Sequence, residues 1–158
     1  MESDKYICVR TDGVNGAPGE LSIVELGADG NNIIKRPGAV ENAIMNPREK
    51  VIALRGQGQL QIVHIELKAR LKQYKLPEGV AVQFWTWISP KEIAIVTATS
   101  VLHWSMDGDG QPVKVFDRLA SVTGQIINYQ VCAPRVCVCL YVCVCTCVCV
   151  CVCSCLYA

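Results

Sequence analysis

Nine cysteines occupy odd-numbered positions near the end of the chain: Cys137, Cys139, Cys143, Cys145, Cys147, Cys149, Cys151, Cys153 and Cys155, mostly separated by valine. Thiolates this dense could form disulfides or hold a soft metal ion. A period of two puts them on one face of a strand. Neighbours two apart on one strand lie about 6.6 Å apart at Cα with parallel side chains, which opposes a disulfide ladder. A metal cluster needs thiolates converging from turns, whereas valine at alternate positions opposes turns, and the sequence has no Cys-x-x-Cys pair. Residues 136–158 carry no charge and exceed the roughly 20 residues of a membrane span. Yet β-branched alternation makes a poor helix, and a lone strand leaves its backbone unpaired in lipid. The pattern fits a translated GT dinucleotide repeat, whose codons GTG and TGT alternate in every forward frame. Single-base slips give Leu140, Tyr141 and Ser154. Residues 131–158 are therefore read as a low-complexity, non-native tail never shaped for folding, and as an aggregation hazard if made.

Other reactive groups are sparse. His64 in "IVHIE" and His103 in "VLHWS" read as satisfied strand histidines. Asp107 and Asp109 in "MDGDG" lack the later ligands and closing glutamate of a calcium loop, so a hairpin turn is expected. "GADGNN" from Gly27 reads the same way. Trp85, Trp87 and Trp104 are expected in packing rather than on a recognition surface. No Gly-rich phosphate loop, His-Glu-x-x-His pair or nucleophile elbow occurs, so no catalytic residue, metal site or cofactor is expected.

The 158 residues hold 15 Lys+Arg against 14 Asp+Glu, so no global field favours nucleic acid or anionic lipid. Ten of the 11 cysteines lie at or after Cys132, leaving Cys8 alone in the body. That usage reads as cytosolic. The polar start Met1–Lys5 gives no signal-peptide pattern.

The elements that must position any site repeat. "KYICVR" starts at Lys5, "KVIALR" at Lys50 and "EIAIVT" at Glu92. "ELSIVEL", "QLQIVHIEL" and "SVLHWSMDGDG" follow them from Glu20, Gln59 and Ser100. "NP" at Asn46 and "SP" at Ser89 precede the later two copies. "ARLKQYKL" from Ala69, "AVQFWTWI" from Ala81 and "QPVKVFD" from Gln111 supply further strands. Trp85 and Trp87 should share one face, Phe84 and Thr86 the other. Pro37, Pro47, Pro77, Pro90 and Pro112 are expected between strands. "ELKARLK" near Glu66 is too short for a stable helix. Short strands recurring every 40–45 residues or so predict an all-β fold of propeller type. Three units cannot close a ring, so residues 1–130 should form an incomplete β-propeller, an open sector whose edges invite association.

"MESDKYICVR", "RPGAVENAIMNP", "LQIVHIELKARLK", "FWTWISP", "VLHWSMDGDGQPVKVFDR" and "QIINYQ" closely resemble the clathrin heavy chain family in its N-terminal domain, from Met1 to about Gln130. The resemblance implies about three blades of a seven-bladed propeller that is not an enzyme and sits at the tip of a helical leg. In the family three chains form a triskelion, and the legs build a lattice around vesicles. The terminal domain takes short acidic, leucine-containing peptides from adaptor proteins. The implied setting is cytoplasmic, on coated vesicles and coated pits, with membrane association only through adaptors and no nucleic acid partner. The family chain begins before the methionine matching Met1, so strands of the first blade are expected to be missing. The leg, trimerisation region and light-chain site are expected to be absent, which removes avidity. A non-functional truncated product, or a Cys-rich membrane-tethered or metal-binding protein, are the alternatives.

The resemblance also implies site residues. Ile34, Arg36, Ile52, Gln61, Ile65, Lys68 and Arg70 match an adaptor-peptide groove between the first two blades, where apolar walls accept leucine and cations pair with carboxylates. Arg70 stands where the family commonly has lysine. Gly38 replaces an isoleucine, Gln59 a threonine and Val63 a phenylalanine, each expected to weaken affinity, by roughly fivefold where about 1 kcal/mol is lost. Gln125 and Ile127 match a second peptide site in the central cavity, expected to be incomplete. From spacing alone, Lys68, Arg70 and Lys72 would be a solvated strand face.

Overall fold

The computed structural model describes residues 3–13, 19–27, 32–38, 40–118, 125–132, 137–144 and 148–155, the last two segments as backbone. The chain divides into two units, Met1–Gly79 and Val80–Ala158.

In the first unit, β1 (Tyr6–Thr11), β2 (Glu20–Glu25) and β3 (Asn32–Pro37) form one sheet. A second contains β4 (Asn42–Met45), β5 (Val51–Gly56), β6 (Gln59–His64) and β7 (Ala69–Lys75) in that order. Every neighbouring pair is antiparallel. Gln57 and Gly58 join β5 to β6 with φ of 53° and 68°. Positive φ at both positions is the turn geometry whose twist matches the flanking strands.

The second unit holds β8 (Val82–Ser89), β9 (Glu92–Thr97), β10 (Ser100–Ser105) and β11 (Val113–Asp117) in one sheet. β12 (Gln125–Cys132), β13 (Cys137–Val144) and β14 (Val148–Cys155) form another. Among the described residues there is no helix, hence none long and apolar enough to cross a membrane. The Val/Cys stretch is thus drawn as two strands, in keeping with its period of two. Its antiparallel register sets Cys137 opposite Cys155 and Cys143 opposite Cys149.

The repeat seen in the sequence closes identically in space. The Leu26 amide donates to the Lys5 carbonyl at 2.8 Å, Ile65 to Lys50 at 2.8 Å and Met106 to Lys91 at 2.7 Å. The Asn-Pro and Ser-Pro pairs are turn devices. Asn46, wholly buried, accepts from the amides of Arg48 at 3.0 Å and Glu49 at 2.9 Å. Ser89 Oγ accepts from the Lys91 amide at 3.2 Å. Both hold the chain reversal ahead of an apolar strand.

Some elements differ from expectation. β3 and β4 have no clear period-two signal and were not foreseen. Pro37 ends β3 opposite Glu20 instead of lying between strands. It is tolerated because β3 is an edge strand. "ELKARLK" is split between the turn at residues 65–68 and β7. "GADGNN" lies mostly outside the described residues.

Packing follows the alternation. Tyr6, Leu21 and Ile23 from the first sheet meet Met45, Ile52, Val63 and Ile65 from the second in one core cluster. In the second unit Ala94, Val96 and Val101 pack with Ile126 and Tyr129 of β12. Trp85, Trp87 and Trp104 are all buried, and Trp85 and Trp87 oppose Ile95 and Ile93 while Phe84 and Thr86 oppose Val96 and Ala94. Ile52 is 0% exposed at the centre of the first unit's core. Replacing it with alanine should cost about 2–5 kcal/mol. Urea unfolding followed by hydrogen exchange at β1–β7 amides should show that loss.

Candidate functional site

Cross-strand register decides which side chains share a face. Leu21 lies opposite Arg36 and Ile23 opposite Ile34, so Arg36 and Ile34 stand on the core-facing side of the first sheet. In the second sheet Ile52 lies opposite Val63, and Val63 opposite Arg70. Gln61, two residues before Val63, shares that face and lies opposite Leu54. Of the seven expected groove residues, Ile34, Arg36, Ile52, Gln61 and Arg70 thus lie on strands of the two sheets, and Ile34, Ile52 and Ile65 belong to or pack on one core cluster. Ile65 and Lys68 sit at the two ends of the turn leading into β7.

Their depths differ. Ile52 and Ile65 lie in the core and form a floor, not an open wall. Ile34 packs half-buried against that floor. Arg36 and Gln61 are half-buried, whereas Lys68 and Arg70 are exposed. Leu54 and Ala43, half-buried against the same cluster, were not singled out in the sequence. Their spacing of two from Ile52 and Met45 was the available signal.

Arg36 stands on β3, Lys68 on the turn before β7 and Arg70 on β7 itself. Among the described residues, no carboxylate pairs with Arg36, Lys68 or Arg70. Arg36 Nη1 is sealed from solvent without a hydrogen-bond partner in the described structure. A buried donor left in that state favours a ligand acceptor. Lys68 has φ of 50°, a left-handed conformation unusual for a non-glycine residue. Gly38 has φ of 152° and open space around a notional Cβ. Room for a side chain exists there, but the backbone conformation opposes one.

Elsewhere in the first unit one set of charges forms a connected network. Lys50 Nζ lies 3.3 Å from Glu25 and also bonds Glu66, while Tyr6 donates to Glu25 at 3.1 Å. The bond to Glu66, then that to Glu25, pushes Lys50 upward. The Tyr6 hydrogen bond, then Lys50, holds Glu25 below the usual carboxylate range. Burial pushes the Cys8 thiol up to about 11, so it is a poor nucleophile at neutral pH.

The second candidate site belongs to the other unit. Gln125 and Ile127 fall on β12, where a register shift lies between Ile126 and Asn128. Their side chains are outside what the structure describes. Among the described residues no three His, Cys, Asp or Glu side chains gather into a possible metal site. His64 Nδ1 accepts from the Leu67 amide at 3.3 Å. His103 lies 2.8 Å from the Tyr129 hydroxyl and 3.4 Å from Glu92. Asp107 pairs with Lys91 at 3.0 Å in the connection between β10 and β11.

No protein-family model matches the chain. Similarity along most of the chain is decisive instead. The chain is 50% identical over 131 residues, 82% of its length, to "Clathrin heavy chain" of Drosophila melanogaster. It is homologous to clathrin heavy chains. "Clathrin heavy chain 1" of Arabidopsis thaliana is 45% identical over 85% of the chain. "Clathrin heavy chain 2" of Homo sapiens is 46% identical over 82%. The chain spans about 8% of the length of each of these clathrin heavy chains.

Burial lowers the affinity of His103 for a proton, more than Glu92 beside it raises it. The unfolded chain, with an ordinary histidine value of about 6.5, then takes up a proton first as pH falls. The stabilising effect of neutral His103 is complete above that value and is lost as pH falls through the folded one. Tryptophan fluorescence should show the melting temperature of the second unit falling between pH 7.5 and 5. His103→Gln should flatten that slope.

Proposed function

We propose that the chain is a sector of a clathrin-type terminal β-propeller, about three of seven blades in an open ring, whose seam between the first two sheets takes adaptor peptides. Homology over 82% of the chain supports the ancestry. The observation that supports the peptide reading is the buried, partnerless Arg36 Nη1 on the sheet that packs with Ile34, Ile52 and Ile65 in one cluster; Lys68, Arg70 and Gln61 are assigned to the same seam as part of the proposal.

The fitting ligand is a short extended peptide with spaced leucines and carboxylates. Leucines would settle against Ile34 and the half-buried edge of the core, and carboxylates would meet the guanidinium and ammonium groups. One such contact is small and hence weak, and useful avidity comes only from many copies on one lattice. The role is structural, in a vesicle coat on the cytoplasmic face of coated pits and vesicles, with adaptors as the link to the membrane. No catalysis is assigned. Gln125 and Ile127 would belong to a second, incomplete peptide site. Residues 131–158, read as a translated repeat, take no part.

The test titrates the full chain with an acidic, leucine-spaced peptide. Saturable binding should weaken about tenfold or more in Lys68→Ala and in Arg70→Ala, a loss of at least about 1.4 kcal/mol. It should also fall with added salt, since Lys68 and Arg70 are exposed. Binding unaltered by both substitutions would refute the assignment of the seam.

A further inference from the structure

The connection between β10 and β11 carries two Asp-Gly pairs, Asp107–Gly108 and Asp109–Gly110, that neither the core nor the Arg36–Arg70 seam uses. At an Asp-Gly pair a chain can attack itself, because glycine has no side chain to shield its nitrogen or restrict its backbone. The sequence holds further pairs at 12–13 and at 29–30, the latter outside the described residues.

What separates the pairs is how each carboxylate is held. Asp107 lies 3.0 Å from Lys91 Nζ, and its amide donates to Ser105 Oγ at 3.1 Å. Asp12 lies 3.0 Å from Arg10. Asp109 is exposed, and among the described residues no ion pair or hydrogen bond holds its carboxylate. A Cβ placed on Gly108 or Gly110 meets no atom within 4 Å, so the chain has room on both sides of Asp109. The pair also touches the core: the Gly110 carbonyl accepts from the indole N–H of Trp104 at 3.2 Å, and Trp104 is buried.

We propose that Asp109–Gly110 is a self-modification site, where the main chain rearranges through a cyclic imide to isoaspartate, and that the product is a substrate for an isoaspartate carboxyl methyltransferase. The Gly110 nitrogen bonds to Asp109 Cγ, and the carboxyl hydroxyl leaves with the amide proton as one water. A water then adds at the α-carbonyl carbon of Asp109, whose bond to the Gly110 nitrogen breaks. The chain now runs through the former side chain, one carbon longer and unchanged in mass, and the α-carboxylate is free. The methyltransferase forms a bond from that carboxylate oxygen to a methyl carbon as the methyl–sulfur bond of S-adenosylmethionine breaks. Asp107 reacts in the same way only after its ion pair to Lys91 opens. An exposed pair of this kind slows the step by up to about fivefold. The extra carbon moves the Gly110 carbonyl away from Trp104, which ties this exposed turn to the environment of a core tryptophan. The site lies in the second unit and stands whether or not peptides bind the seam.

The test ages the folded full-length protein at physiological temperature and pH. The peptide spanning residues 92–114 is then fragmented by a method that separates aspartate from isoaspartate. Isoaspartate should accumulate several times faster at 109 than at 107. The aged protein should accept labelled methyl groups in that peptide from S-adenosylmethionine and the methyltransferase. Tryptophan emission should shift in step with conversion. Asp109→Glu, which keeps the charge, should abolish conversion at 109 and the shift. Lys91→Ala should raise the rate at 107 by up to about fivefold and leave that at 109 unchanged. In urea, where the fold no longer holds Asp107, the two positions should convert at similar rates. Absence of isoaspartate at 109, or equal rates at 107 and 109 in the folded protein, would overturn the proposal. So would a preference for 109 that persists in urea, since the fold would then play no part.

Discussion

A sheet of three or four short strands has two faces and no means of burying both by itself. This constraint organises the molecule. The first unit is stable because Tyr6, Leu21 and Ile23 meet Met45, Ile52, Val63 and Ile65 across the space between its sheets. At about 25 cal/mol per Å² of apolar area removed from water, such a seam outweighs any ion pair at its margin. The second unit repeats the solution with Ala94, Val96 and Val101 against Ile126 and Tyr129.

The polar groups are arranged around these seams. Lys50 bridges Glu25, which β2 contributes, and Glu66, which follows β6, so one ammonium laces the two sheets of the first unit together. His103 and Tyr129 join β10 to β12 in the second. The margin that carries Arg36, Lys68 and Arg70 has no such bridge among the described residues, and Arg36 Nη1 lies buried there without a hydrogen-bond partner.

Most strands were legible because alternation and punctuation agree. "KVIALRGQGQLQIVH" contains two period-two runs around a glycine turn, and β5 and β6 occupy it. The three-fold recurrence was equally plain and returns as the closures at Lys5, Lys50 and Lys91. β3 and β4 were obscure for physical reasons. "NIIKRP" carries consecutive isoleucines and ends in proline, and "NAIM" is four residues long. Their strand state comes from partners, not local preference. The groove assignment rests only on resemblance to a family. Spacing alone gives Lys68 and Arg70 no reason to be other than solvated, and it does not show that Ile52 and Ile65 form a floor.

Among the described residues every pairing joins strands adjacent along the chain, from β1 with β2 to β13 with β14. Each sheet is a meander that needs no later segment to complete its ladders. During synthesis a sheet can close soon after leaving the ribosome, before the next has been translated. Such short loops favour rapid zipping. Slow events are then confined to stacking one finished sheet on another, the stage at which an uncovered nascent face is most open to chaperones.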